Sequence, residues 1–152
     1  MAILEVGLNL GNRNLMEIKY YSSSDNHGLD SSLRAGFLSA LESFTTEVFG
    51  DDINVVSMAS FKLVCSCEML SSPEEGDNAK EPLLCFAIIE KDTDAVVVKK
   101  LIIQIISHFR NRFSVNDIFS KKDKYFKNFE ERVNEILGDL KLKTEDRFRS
   151  LF

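Results

Sequence analysis

The chain has 152 residues, of which 44% are apolar and 28% charged, with three cysteines, two prolines and no tryptophan, a composition ordinary for a single globular domain. At this length folding buries about 70% of the surface an unfolded chain exposes, so neither a metal nor a disulfide staple is required for stability. The net charge of −5 is the wrong sign for a generic phosphate-backbone binder, and neither a membrane-length apolar run nor a signal peptide is evident, so the expected setting is cytoplasmic.

Residues 2–10 alternate Leu4, Val6, Leu8 and Leu10 with smaller or polar residues, the period of a half-buried strand. Gly11, Asn12, Arg13 and Asn14 supply turn chemistry, and Met16, Ile18 and Tyr20 resume the alternation, so the amino terminus reads as a β-hairpin. A polar loop then leads to Asp30, Ser31 and Ser32, candidate caps for a helix whose apolar stripe is Leu33, Phe37, Leu41, Phe44 and Val48. Gly50 is a suitable stop. Residues 53–70 are rich in β-branched and small apolar side chains but too long for one strand, so they read as two, broken near Ala59 and Ser60.

Residues 71–81 contain no bulky apolar side chain and read as a solvated loop. Leu83, Leu84, Cys85, Phe86, Ala87, Ile88 and Ile89 follow as an unbroken apolar run, which suits a central strand covered on both faces. Thr93 or Asp94 can cap the next helix, whose wide apolar face carries Val98, Leu101, Ile102, Ile105, Phe109 and Phe113. After a connection over residues 114–123, Phe126, Phe129, Val133, Ile136, Leu137 and Leu140 define a third amphipathic helix.

This ββαβββαα order resembles the longin-like fold. The run Phe61, Lys62, Leu63 and Val64, then Leu84 to Ile88, then Asp92 and Asp94, then residues 105–113 and 125–137, is similar to the matching region of clathrin-adaptor small subunits, longin SNAREs and TRAPP subunits. The resemblance implies an α+β domain over residues 1–140: a five-stranded antiparallel sheet, longin- or profilin-like, with one helix on one face and two on the other. Residues 141–152 form an amphipathic tail, and the loop at 71–81 is longer than the family pattern. No SNARE heptad region follows residue 140, so the expectation is a free-standing longin module. Roadblock and profilin-like families share this architecture, and fold alone does not choose among their functions.

Reaction chemistry finds little support in the residues. Cys65 and Cys67 share a strand face and Cys85 lies on a neighbouring strand, but structural zinc needs four ligands and only the distant His108 could join them. Buried apolar packing is the expected role of these thiols, with no metal. His108 falls at the edge of an apolar helix face with no nucleophile or orienting acid nearby in sequence, and His27 sits in a polar loop. Gly7 and Gly11 lie on a strand without the lysine and following helix of a phosphate loop. Asp51, Asp52, Glu74 and Glu75 fall in connections, where solvated charge is the default. The expectation is therefore a protein that is not an enzyme and takes no cofactor.

Residues 121–152 carry a charge of +2 where the preceding two regions, 1–50 and 51–120, carry −3 and −4. Lys121, Lys122, Lys124 and Lys127 interleave with Tyr125 and Phe126, and helical period turns both aromatics inward, leaving a solvated helix start. Four lysines are too few to hold a membrane alone, so association is at most peripheral.

Two apolar features fall outside the core stripes. Leu38 and Phe49, with Thr45 between them, lie about 100–120° from the first helix's stripe centre. In the tail, Phe148, Leu151 and Phe152 come together if Thr144, Glu145 and Asp146 begin a helical turn, one too short to stand alone. In longin-like proteins the first helix and adjacent strand commonly form a contact surface, so the candidate partner-binding set is Leu38, Thr45, Phe49, Met58, Ser60 and Lys62, with the tail as plug or second contact. The expected function is a non-catalytic interaction scaffold in vesicle trafficking or small-GTPase regulation, its partner a small GTPase or a trafficking-complex subunit. The alternatives are a roadblock-like homodimeric scaffold and a small-molecule sensor.

Overall fold

The computed structural model describes residues 2–11, 13–20, 54–57, 61–72 and 80–141, with backbone only for 54–57. The expected first helix, carrying Phe37, Leu38, Thr45 and Phe49, lies outside these residues, as do Met58, Ser60 and the tail residues Phe148, Leu151 and Phe152.

The described chain is an α+β unit built on an antiparallel sheet. Four long strands, β1 (Ile3–Leu10), β2 (Arg13–Lys19), β4 (Phe61–Ser71) and β5 (Lys80–Glu90), lie in the order β2-β1-β5-β4. A short segment, β3 (Asn54–Ser57), pairs with β4 from Lys62 to Cys65 on the outer side. Ala59 and Ser60, where the break is expected, lie outside the described residues. Arg13 and Asn14, expected in the first turn, belong to β2: Leu10 pairs directly with Arg13, and Gly11 opens the tight connection at φ 56, a conformation glycine adopts at little cost.

β1 was expected to bury one face, and it buries both: every position from Ile3 to Leu10 is buried. A bulge at Leu4 sends that side chain to the opposite face from Ile3, Val6, Leu8 and Leu10. Gly7 and Asn9 look like solvent-facing residues in sequence, but β1 lies between β2 and β5 and their outward face is occupied. Asn9 Oδ1 accepts a 2.8 Å bond from Nδ2 of Asn14, its cross-strand partner. Gly7 lies beneath the ring of its own partner, Phe86, where an added Cβ would stand 2.4 Å from Cζ. Gly7→Ala is therefore expected to cost about 1–3 kcal/mol in urea unfolding. Combined with Phe86→Leu, the two costs should be less than additive, because the shorter side chain removes the collision; full additivity would show that the ring does not oppose the methyl group.

The two sheet faces carry separate apolar clusters. The larger joins Val6, Leu8, Cys85, Ala87 and Ile89 to helical residues. Its principal helix, α1 (Ala95–Arg112), buries Val98, Ile102, Ile105, Ile106 and Phe109 at the spacing that sets them on one face. The other cluster joins, among the described residues, the strand residues Leu4, Leu63, Cys65, Leu84, Phe86 and Ile88 with Phe61 and Cys67 at its margin; no residue of a described helix belongs to it. These six side chains are nevertheless at most 6% exposed.

Two capping candidates, Thr93 and Asp94, stand at the start of α1, and they divide the work. Asp94 caps the helix, its Oδ1 accepting 2.9 Å from the Val96 amide. Thr93 turns inward, where Oγ1 accepts 2.9 Å from the Ala2 amide and donates to the Ala2 carbonyl. Asp94→Ala should cost about 1 kcal/mol through the lost cap. Thr93→Val should cost about 1–3 kcal/mol by stranding a buried amide, with accelerated amide exchange at Ala2 as its distinguishing mark.

The connection expected over 114–123 contains a helix, α2 (Val115–Ser120), capped by Ser114 Oγ on the Asp117 amide and anchored by buried Ile118. The expected third helix is interrupted, giving α3 (Asp123–Phe126) and α4 (Phe129–Leu137). Backbone bonds from Lys127 to Lys124 and from Glu130 to Lys127 span three residues rather than four. That tighter winding brings positions three apart into line, so Phe126 and Phe129 both reach the core. Gly138, at φ 55, ends α4 before a final 3₁₀ turn (Gly138–Leu140). Lys141 then bridges Ile3 in parallel. Tyr20 ties the end of β2 to α4 by donating to Asn134 Oδ1; burial first, and then the Glu130 carboxylate, push its phenol pKa up.

A candidate protein-binding groove

Lys62 is the one member of the expected contact set within the described residues. It pairs with Ile89, whose side chain belongs to the helix-covered face, and its Nζ donates 3.2 Å to the Thr93 carbonyl. Lys62 thus ties β4 to the start of α1.

Farther along β4, a shallow groove of about 540 Å³ runs between that strand and α1. Ser66, Cys67 and Glu68 form one wall, and Ile103, Ile106, Ser107, Arg110 and Asn111 the other. Arg110 and Glu68 close it with an ion pair that remains accessible to water. Such a pair contributes ~1 kcal/mol or less, so it orders the rim more than it holds the fold. Ile103 is 47% exposed. Among the described residues, β3 reaches only as far as Cys65, and nothing pairs with the outer edge of β4 from Ser66 onward. Chemically the groove offers apolar contact and hydrogen bonds from Ser66, Ser107 and Asn111. Sequence reasoning passed over it, although Ile103 stands outside its helix's buried stripe.

The three cysteines do not converge. Cys65 and Cys67 belong to the strand-only face, whereas Cys85 joins the helix-covered core, and none is in a disulfide. Burial pushes the Cys85 thiol pKa up, with the neighbouring Cys65 adding to the shift, and burial raises Cys67 as well. In native protein a thiol reagent should label at most half-buried Cys67, and denaturant should release all three; rapid native labelling of two or more would contradict this packing. His108 is exposed on α1 rather than held at the edge of the core. No group of three metal-ligating side chains occurs among the described residues, and no described helix is long and apolar enough to cross a membrane.

No protein-family model matches the chain, and a search of curated proteins gives no match.

Proposed function

We propose that the chain is a longin-type interaction scaffold that acts without catalysis in vesicle trafficking or small-GTPase regulation. The observation that carries this reading is the doubly buried sheet: α1 to α4 account for one face, and Leu4, Leu63, Cys65, Leu84, Phe86 and Ile88 are buried on the other. In the proposed five-stranded arrangement, residues 31–50 form the helix on that second face through Leu33, Phe37, Leu41, Phe44 and Val48. Leu38, Thr45 and Phe49 then lie along its flank toward Met58 and Ser60, forming the partner surface. The tail residues Phe148, Leu151 and Phe152 compete for that surface as an intramolecular plug.

Binding to a panel of purified small GTPases, each loaded with GDP or a GTP analogue, tests this reading. Full-length protein and a chain ending at Leu140 are compared, each with and without Leu38→Asp. Leu38→Asp should weaken binding, and truncation should strengthen it by removing the plug, since apparent affinity scales with the fraction of open molecules. Weaker binding on truncation would make the tail a contact, and no binding across the panel would count against the GTPase-partner reading. Concentration-dependent dimerisation in sedimentation equilibrium would favour the roadblock-like alternative. Thermal stabilisation by a small metabolite would favour the sensor.

A further inference from the structure

The turn from Lys121 to Lys127 differs from its sequence expectation in one decisive respect. Phe126 is fully buried, but Tyr125 is 46% exposed. Its ring lies among cations: Lys121 Nζ stands 5.4 Å from the ring centroid, and on the inner side Tyr125 packs at 5.7 Å against Phe113, over which the Arg112 guanidinium lies at 5.6 Å. Lys121, Lys122, Lys124, Lys127 and Arg112 are all exposed, and none forms an ion pair with a described residue. The nearby carboxylates are fewer, and Asp117 is engaged by the Tyr125 hydroxyl at 3.1 Å.

We propose that this turn is a contact for an anionic lipid surface, with Tyr125 at the headgroup level and the lysines around it meeting lipid phosphates and carboxylates. The turn can meet a flat bilayer because α3 has one inward residue and displays the rest. An amphipathic tyrosine beside lysines suits a membrane interface. Single-stranded nucleic acid fits less well: base stacking needs an open aromatic face, and Lys121 and Phe113 flank this ring. The contact is reversible and acts alongside a protein partner, since a basic patch is one of the two signals that stable anchoring takes. It stands independently of the longin reading, because it rests only on residues 112–127.

Cosedimentation of the full-length protein with phosphatidylcholine vesicles, with and without phosphatidylserine, tests the proposal at low and at physiological salt. Binding should require phosphatidylserine and fall with salt. Lys122→Ala and Lys124→Ala should each lower the partition coefficient about fivefold, Tyr125→Ala should lower it further, and Lys100→Ala on α1 should leave it unchanged. All four side chains are exposed, so unchanged circular dichroism melts confirm that the variants are folded. Equal binding to both vesicle types, or wild-type partitioning by the Lys122→Ala/Lys124→Ala double variant, would overturn the proposal. Tighter binding to a single-stranded RNA oligomer with the same lysine dependence would also overturn it and reassign the patch to nucleic acid.

Discussion

Phe109→Ala is expected to remove about 3–5 kcal/mol, a large share of a total stability of order 5–15. Phe109 is fully buried on α1 within the aromatic core. Its ring centroid lies 4.9 Å from Phe113, 5.3 Å from Phe126 and 5.2 Å from Phe129, in tilted and edge-on arrangements. Those geometries contribute beyond buried area alone. Removing the ring opens a cavity shared by the end of α1, the short α3 and the start of α4, and the interrupted 121–129 segment has little helix of its own with which to close it. Tyr125→Ala is the comparison, since that ring is half exposed and its loss should change stability far less. Denaturant unfolding of the two variants measures the difference, and near-equal midpoints would show that the aromatic cluster is not a stabilising unit.

The elements legible in the sequence were those whose pattern is dictated locally. The run Leu83 to Ile89 announced a strand buried on both faces because nothing polar interrupts it, and β5 is that strand. The stripe from Val98 to Phe109 gave α1 its buried face for the same reason. β1 was misread because the environments of Gly7 and Asn9 are set by Phe86 and Asn14 on other strands, which no local period reveals. The 121–129 segment was misread because helical period was extended through a stretch wound in three-residue turns, where Phe126 goes in and Tyr125 stays out.

The candidate site was less legible than the fold. Lys62 bears the expected position on β4, but its ammonium is drawn to the carbonyl that precedes α1, a contact made across 31 residues. The groove beside it is framed by Glu68 and Arg110, 42 residues apart. Pairings at such separations follow from the fold and leave no mark in the spacing of either residue. The one local signal was Ile103, an apolar residue outside the stripe of its own helix.

The proposed function depends on what lies over the strand-only face, and Phe37→Asp tests that most directly. Phe37 is the centre of the stripe assigned to residues 31–50, which in this account packs on Leu63, Leu84, Phe86 and Ile88. A carboxylate placed there meets an apolar surface without a partner, at a cost of several kcal/mol, a loss comparable with the whole stability of a domain this size. Glu42, on the opposite side of the same helix, faces solvent in this arrangement, so Glu42→Lys should melt as the unmodified protein does. The account predicts that Phe37→Asp lacks a cooperative circular dichroism melt while Glu42→Lys keeps one, and equal melting temperatures for the two variants would contradict it.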